Sequence, residues 1–205
     1  MQNCIQTLRK RPDDPDTVSR YLELLSQCVD RIKNTVQQLL KIGRNEPLVL
    51  HLGNVDKMIH ECLELTCIER SDILIDTHLS VQKPVLVSME SLRQVIVNLA
   101  GNAVQAMGNS GGTITVTSRV EGESLVLEVE DTGPGIAPQH LSKIFEPFFT
   151  TKEVGEGTGL GLSVSYSLVE RMGGELTAWN RPESGAIFTV VVPLGNEPAS
   201  SEEGS

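Results

Sequence analysis

The 205 residues are 39% hydrophobic and carry a formal net charge of −10, enough to bury one core of ordinary size and a small appended element. The charge argues against a nucleic-acid surface, which needs clustered Lys and Arg. No apolar run approaches the roughly 20 residues needed to cross a bilayer, and Met1 to Arg11 lacks a signal-peptide core.

From Met1, the positions Met1, Cys4, Ile5 and Leu8 recur at i, i+3, i+4 and i+7, one face of a helix already under way at the first residue. Arg11-Pro12-Asp13-Asp14-Pro15-Asp16 breaks it, because each proline lacks an amide donor and disfavours helical geometry in the residue before it. Asp16 is placed to cap the next helix. That helix, about Thr17 to Lys41, carries Val18, Leu25, Ile32 and Leu39 on one seven-residue seam and Leu22, Val29 and Val36 on another. The stripe is wider than one short helix covers. Residues 1–42 are therefore expected to form a helical hairpin that completes a bundle with a second copy, making a homodimer; a hairpin folded back on its own domain is the alternative.

Gly43 to Pro47 reads as a linker, with glycine placed to end the helix. The charge changes here too: residues 1–44 hold eight Lys or Arg against five Asp or Glu, and the remainder nine against 22, so two segments of different character are expected. Beyond the linker the pattern is mixed. A short strand near Leu48 to Leu52 precedes a helix from about Val55 to Cys67, a strand pair around Ile73 to Leu79 and Val85 to Val87, and a helix over Met89 to Met107. Strands over Thr113 to Val120 and Leu125 to Glu130 flank a turn at Glu121-Gly122-Glu123. A helix from about Leu160 to Met172 stops at Gly173-Gly174, and strands Glu175 to Asn180 and Ala186 to Val192 close the domain. Gly195 to Ser205, rich in Ser, Glu and Gly, reads as a disordered tail. Cys4, Cys28, Cys62 and Cys67 form no C-x-x-C pair and read as reduced, packed thiols, which favours a cytoplasmic compartment.

Asn98 and Asn102 stand four apart on one helix face. An asparagine carbonyl is a neutral ligand suited to a Mg²⁺ whose charge phosphates mostly balance, although paired asparagines also serve in caps and networks. The strand Leu125 to Glu130 delivers Asp131 at its end, followed by Gly133-Pro134-Gly135. A carboxylate there can accept a hydrogen bond from an exocyclic amine while the glycines let the backbone pass close to a flat ring; a surface turn with a solvated aspartate is the alternative. Gly157-Thr158-Gly159-Leu160-Gly161-Leu162 runs into a helix, whose free amides can bind phosphate. It is neither a Walker loop nor a dinucleotide fingerprint.

These boxes, together with Ile144-Phe145-Glu146-Pro147-Phe148-Phe149-Thr150-Thr151-Lys152, occur in the order found in the catalytic, ATP-binding domain of sensor histidine kinases, within the Bergerat-fold ATPase superfamily. The resemblance covers about Leu48 to Leu194. It implies an α+β fold, a two-layer sandwich with a mixed sheet covered by helices, preceded by the helical hairpin. The implied domains are residues 1–44, part of a dimerisation and histidine-phosphotransfer hairpin; 45–195, the ATP-binding domain; and 196–205, a tail. The form Asn102-Ala103-Val104-Gln105-Ala106-Met107 and the Phe-Phe-Thr-Thr-Lys lid are similar to nitrogen- and dicarboxylate-responsive sensor kinases.

By the same resemblance the cofactors are ATP and Mg²⁺, and a response regulator is the expected partner of the full-length protein. Asn102 would ligate the metal with Asn98 on the phosphate side. Asp131 would bind the adenine amine, with Gly133 and Gly135 shaping the base pocket and Ile144 its wall. Residues 145–158 would form a mobile lid, with Lys152 contacting phosphate. Gly157, Thr158, Gly159, Leu160, Gly161 and Leu162 would be the phosphate-binding end, and Thr189 would touch the adenine site. Hydrolytic relatives place a glutamate four residues before the metal asparagine to activate water; an amide at Asn98 cannot act as that base, whereas transfer to a presented nucleophile depends mainly on positioning and charge neutralisation.

Kinases of this type carry their acceptor in His-Glu/Asp-x-x-x-Pro. His51, His78 and His140 lack the acidic neighbour, and His60-Glu61 is followed by no proline. The chain is therefore expected to begin after the histidine box, as a fragment or truncated product that binds ATP without phosphorylating itself. A serine or threonine kinase of the same superfamily and a non-catalytic ATP-binding regulatory module are the other readings.

Overall fold

The computed structural model of the chain describes residues 15–43, 48–68, 70–152 and 157–195. The helix expected from Met1, residues 44–47 of the linker and the tail from 196 lie outside these. The chain divides into two units, Met1–Arg44 and Asn45–Ser205.

In the first unit, α1 (Pro15–Gly43) opens on a proline, whose missing N–H is one that a first helical turn leaves without an intrahelical acceptor. Asp16 was expected as the cap but lies inside the first turn, because Pro15 is itself helical; there its carboxylate meets the positive end of the helix dipole. Of the two seams, Leu22, Val29 and Val36 are exposed, while Val18 and Leu25 are half-buried. No described helix is long and apolar enough to cross a membrane.

The described part of the second unit contains helices α2 (Val55–Cys67), α3 (Met89–Met107) and α4 (Gly161–Arg171). Its strands are β1 (His51–Gly53), β2 (Ile73–Leu79), β3 (Val85–Val87), β4 (Gly112–Glu121), β5 (Ser124–Asp131), β6 (Glu175–Asn180) and β7 (Ala186–Pro193). The main sheet has the order β2-β4-β5-β7-β6, with β2 parallel to β4 and every other pairing antiparallel. The expected pair of Ile73–Leu79 with Val85–Val87 does not form: β3 pairs with β1 instead. The cause is visible at Ser80. Its N–H and hydroxyl both donate to the Ser118 carbonyl, at 3.0 and 2.7 Å, so the chain follows β4 past the end of β2 rather than turning back. Leu48 to Leu50, expected as strand, precede β1 without joining it.

Strand alternation and helical spacing then build the core between sheet and helices. On β7, Ala186, Phe188, Val190 and Val192 are buried while the residues between them are half-buried. On α3, Leu92, Val95, Ile96, Leu99, Ala100, Ala103 and Met107 form the inward stripe. Full burial of a Leu such as Leu99 stabilises by about 1.5–3 kcal/mol. Cys62 and Cys67 are free and buried on α2, and burial pushes both thiols up from their ordinary range. The last turn of α3 is clamped by Arg70. Its guanidinium grips the Asp72 carboxylate at 2.8 and 2.7 Å while donating to the carbonyls of Val104 and Gly108, a cation placed where the helix dipole is negative.

Candidate functional site

β5 ends at Asp131, whose side chain is 4% exposed and by alternation shares the helical side of the sheet with Leu127 and Val129. Its Oδ1 accepts the N–H of Gly133 at 2.8 Å and that of Ala186 at 3.3 Å. Oδ2 has no hydrogen-bond partner among the described residues, and no side-chain nitrogen or oxygen among them is buried without one, so Oδ2 opens to solvent. One oxygen is an anchor and the other is presented outward. Burial pushes the carboxyl up from the ordinary carboxylate range, and the two amide donors and the nearby Arg181 guanidinium oppose that rise without cancelling it.

The β6–β7 hairpin holds the turn that follows. Asn180 accepts the N–H of Ile136 at 2.7 Å on Oδ1 and donates Nδ2–H to the carbonyl of the same residue at 2.6 Å. Ser184 Oγ donates to the Gly133 carbonyl at 2.6 Å. Gly135 sits at φ +77°, and a Cβ there would stand 2.9 Å from Asn180 Oδ1 and 3.1 Å from the Gly185 carbonyl oxygen, so conformation and space both require glycine. Across the turn, a Cβ on Gly133 would lie 3.4 Å from the Cβ of Ala106. The Asp131 loop therefore runs against α3, one turn beyond Asn102.

α3 presents a stripe of four carboxamides, Gln94, Asn98, Asn102 and Gln105, at i, i+4, i+8 and i+11. Asn98 Nδ2 donates to the Gly161 carbonyl at 3.0 Å and to Ser165 Oγ at 3.1 Å, and its Oδ1 accepts from Gln94 Nε2 at 3.1 Å. The half-buried side chain of Asn102 makes no hydrogen bond among the described residues. Lys152 Nζ donates to Gln105 Oε1, so Lys152 joins the helix face that carries Asn98 and Asn102.

The glycine box closes this arrangement. A Cβ on Gly157 would lie 2.8 Å from Thr150 Oγ1 and 3.1 Å from Lys152 Cδ, so within the expected lid, residues 145–158, Gly157 lies against Thr150 and Lys152. Gly159 has φ +65°, and a Cβ there would stand 2.4 Å from the carbonyl carbon of Phe148; the Phe148 N–H donates to the Gly159 carbonyl at 2.9 Å. The Leu160 N–H reaches Thr158 Oγ1 at 3.4 Å, and the Leu160 side chain is completely buried. α4 starts immediately after with no side-chain cap, leaving first-turn amides open to an anion. Leu162 is half-buried and Ile144 buried. Phe145 packs on Tyr166 and Phe149 on His140, with ring centroids 5.2 and 5.3 Å apart.

Thr189 is a correction. The register sets it opposite Glu128 on β5 and Thr177 on β6, hence on the sheet face away from Asp131, where a base held by Asp131 cannot reach it. β7 contributes the N–H of Ala186 instead. The sequence reading also missed Asn180, Ser184, Gln94 and Ser165. Gln94 was findable, since it extends the Asn98 and Asn102 spacing by one more turn. Nothing local marks the other three.

Residues 88–196 match the family described as Histidine kinase-, DNA gyrase B-, and HSP90-like ATPase, a span that contains every residue of this site. The sensor histidine kinase ZraS of Salmonella typhi is 33% identical over 176 residues, covering 84% of this chain and 37% of ZraS. Full-length ShkA in complex with AMPPNP is similar with a TM-score of 0.77 and 27% identity, over 91% of this chain and 40% of that one. Histidine kinase ThkA in complex with response regulator protein TrrA is similar with a TM-score of 0.76 and 28% identity, over 94% and 56% of the two chains. The chain spans well under half the length of the curated relatives it matches. With the Asp131 loop, the amide stripe and the uncapped glycine-box helix assembled in one place, the chain belongs to the histidine kinase, DNA gyrase B and HSP90-like ATPase family and carries an ATP-binding core of the sensor histidine kinase type.

Proposed function

We propose that this chain binds ATP with Mg²⁺ and donates the γ-phosphoryl to a histidine presented by another segment or chain. One observation carries the reading. The residue four before Asn102 is an amide, Asn98, and both its protons are already given to Gly161 and Ser165. It holds no basic site able to take a proton from water, so hydrolysis is disfavoured while the groups needed to hold a nucleotide are in place.

In this reading Asp131 Oδ2 accepts the exocyclic amine of adenine, and Gly133, Gly135 and Ile144 border the ring. Lys152 and the segment Gly157 to Leu162 face the phosphates, with the first-turn amides of α4 as neutral donors. Asn102 fits one position of an octahedral oxygen set, being a neutral oxygen donor with no partner among the described residues. Held by Asn102, a divalent cation would supply neutralisation of the charge that develops on transfer. The chain's own residues then orient the triphosphate and leave its end open to an incoming nucleophile.

None of the four histidines lies in a His-Glu/Asp-x-x-x-Pro box, so the acceptor is assigned elsewhere. A homodimer through residues 1–42 accords with the exposed seam Leu22, Val29 and Val36, and light scattering tests it: a mass of one chain refutes it. The complex of ThkA with TrrA supports a response regulator as downstream partner. The decisive experiment mixes this chain with one restoring an upstream histidine helix, using γ-labelled ATP. Label is expected on the added histidine and not on this chain alone. Rapid ATP hydrolysis without any acceptor would refute the proposal.

A further inference from the structure

Ser165 is a completely buried hydroxyl to which the nucleotide reading assigns no task. It lies on α4 one turn after Gly161 and donates to the Gly161 carbonyl at 3.0 Å. With its single proton committed, its oxygen can only accept from Asn98 Nδ2, 3.1 Å away. Asn98 gives its other amide proton to the same Gly161 carbonyl at 3.0 Å. From the opposite side, Gln94 Nε2–H donates to Asn98 Oδ1 at 3.1 Å.

The geometry points to Ser165 as a positioning residue for Asn98, an inference that rests on the nucleotide reading above. A carboxamide can sit either way round, and hydrogen-bond partners decide which. Turned over, Asn98 would set Oδ1 against the Gly161 carbonyl oxygen, leave Ser165 Oγ without its donor and point NH₂ at the Gln94 amide. Ser165 and Gly161 together therefore fix Oδ1 on the side away from α4. That oxygen accepts one bond and keeps a lone pair on the stripe it shares with Asn102. The same knot ties the phosphate-facing start of α4 to the helix that carries the metal asparagine. An acidic residue at position 98 would lack both protons and face a carbonyl oxygen, so α4 requires an amide there whatever the chemistry of the reaction.

The test uses the full chain, with affinities for ATP in Mg²⁺, ATP in EDTA and adenosine, and with thermal melting to confirm folding. Ser165→Ala should weaken ATP in Mg²⁺ by about 5- to 10-fold, the scale of one hydrogen bond, with a smaller loss in EDTA and none for adenosine. Asn98→Ala should show the same pattern, and the double variant should bind no more weakly than Asn98→Ala alone. Equal losses for all three ligands, or effects of the two substitutions that multiply, would overturn the inference in favour of simple helix packing. Should Ser165→Ala fail to fold, Ser165→Cys gives the same comparison with a near-isosteric, weaker donor. If the unmodified chain binds no ATP in Mg²⁺, the nucleotide reading falls and this inference with it.

Discussion

Replacing Asp131 with asparagine alters one atom and should change which purine the site accepts. Oδ1 faces two backbone N–H donors, from Gly133 at 2.8 Å and Ala186 at 3.3 Å. In Asp131→Asn the amide oxygen keeps that place, because an NH₂ there would oppose both donors. The NH₂ is thereby forced to the outward position now held by Oδ2. Adenine brings an amine to that position and would meet a donor; hypoxanthine brings a carbonyl oxygen and would meet a partner. A hydrogen bond to a charged group contributes about 1.5–3 kcal/mol, so ATP affinity should fall roughly 10- to 150-fold, while ITP affinity holds or rises. Titration calorimetry with both nucleotides at neutral pH reads the ratio directly. Unchanged ATP affinity, or equal losses for ATP and ITP, would refute the assignment of Oδ2 to the 6-position of the base.

The raised carboxyl of Asp131 also sets opposite pH trends for stability and binding. Between the ordinary carboxylate range and the raised folded value the native state holds more protons than the unfolded chain, so the stability of the wild type relative to Asp131→Asn should fall as pH rises through that window and then level off. ATP affinity needs the carboxylate and should fall as pH drops through the raised value; melting and ATP titration of both proteins across the acid range check the pair, and a wild type that gains stability over the variant with rising pH would contradict it. Gly159→Ala places a Cβ 2.4 Å from the Phe148 carbonyl carbon at φ +65° and should cost about 1–3 kcal/mol with a clear loss of ATP affinity. Gly161→Ala is the control, since a Cβ there meets only Asn98 Cγ at 3.9 Å, and its melting temperature should stay close to wild type. Leu99→Ala, at a completely buried position, should cost about 2–5 kcal/mol, seen as a lower denaturant midpoint with an unchanged slope.

Elements with a strong period were legible from the sequence to the residue: Val55–Cys67 and Met89–Met107 as helices, Ile73–Leu79 and Glu175–Asn180 as strands. Their partners were not. A strand's pattern states which face is buried but not which strand lies beside it, and the bonds that carry the chain past β2 come from Ser118, 38 residues away. The same division runs through the site. Asp131 and the glycines stand out because close backbone approach needs glycine at fixed local spacing. Asn180 and Ser184, 44 and 51 residues from the atoms they hold, have no local signature, and Thr189 was misplaced because its face depends on a register that only the folded sheet defines.

The asparagine pair shows where sequence reasoning stops. Spacing of four puts Asn98 and Asn102 on one face and makes them look alike. The difference between them is imposed by α4, a helix that begins 59 residues after Asn102. Its Gly161 carbonyl and Ser165 hydroxyl absorb both protons of Asn98 and reach nothing on Asn102. One asparagine thus becomes part of the scaffold with a single outward lone pair, and the other keeps its whole carboxamide for a ligand. Were the two interchangeable, Asn98→Ala and Asn102→Ala would lose Mg²⁺-dependent ATP affinity alike. The bonding predicts instead that only Asn98→Ala also lowers the melting temperature of the nucleotide-free chain.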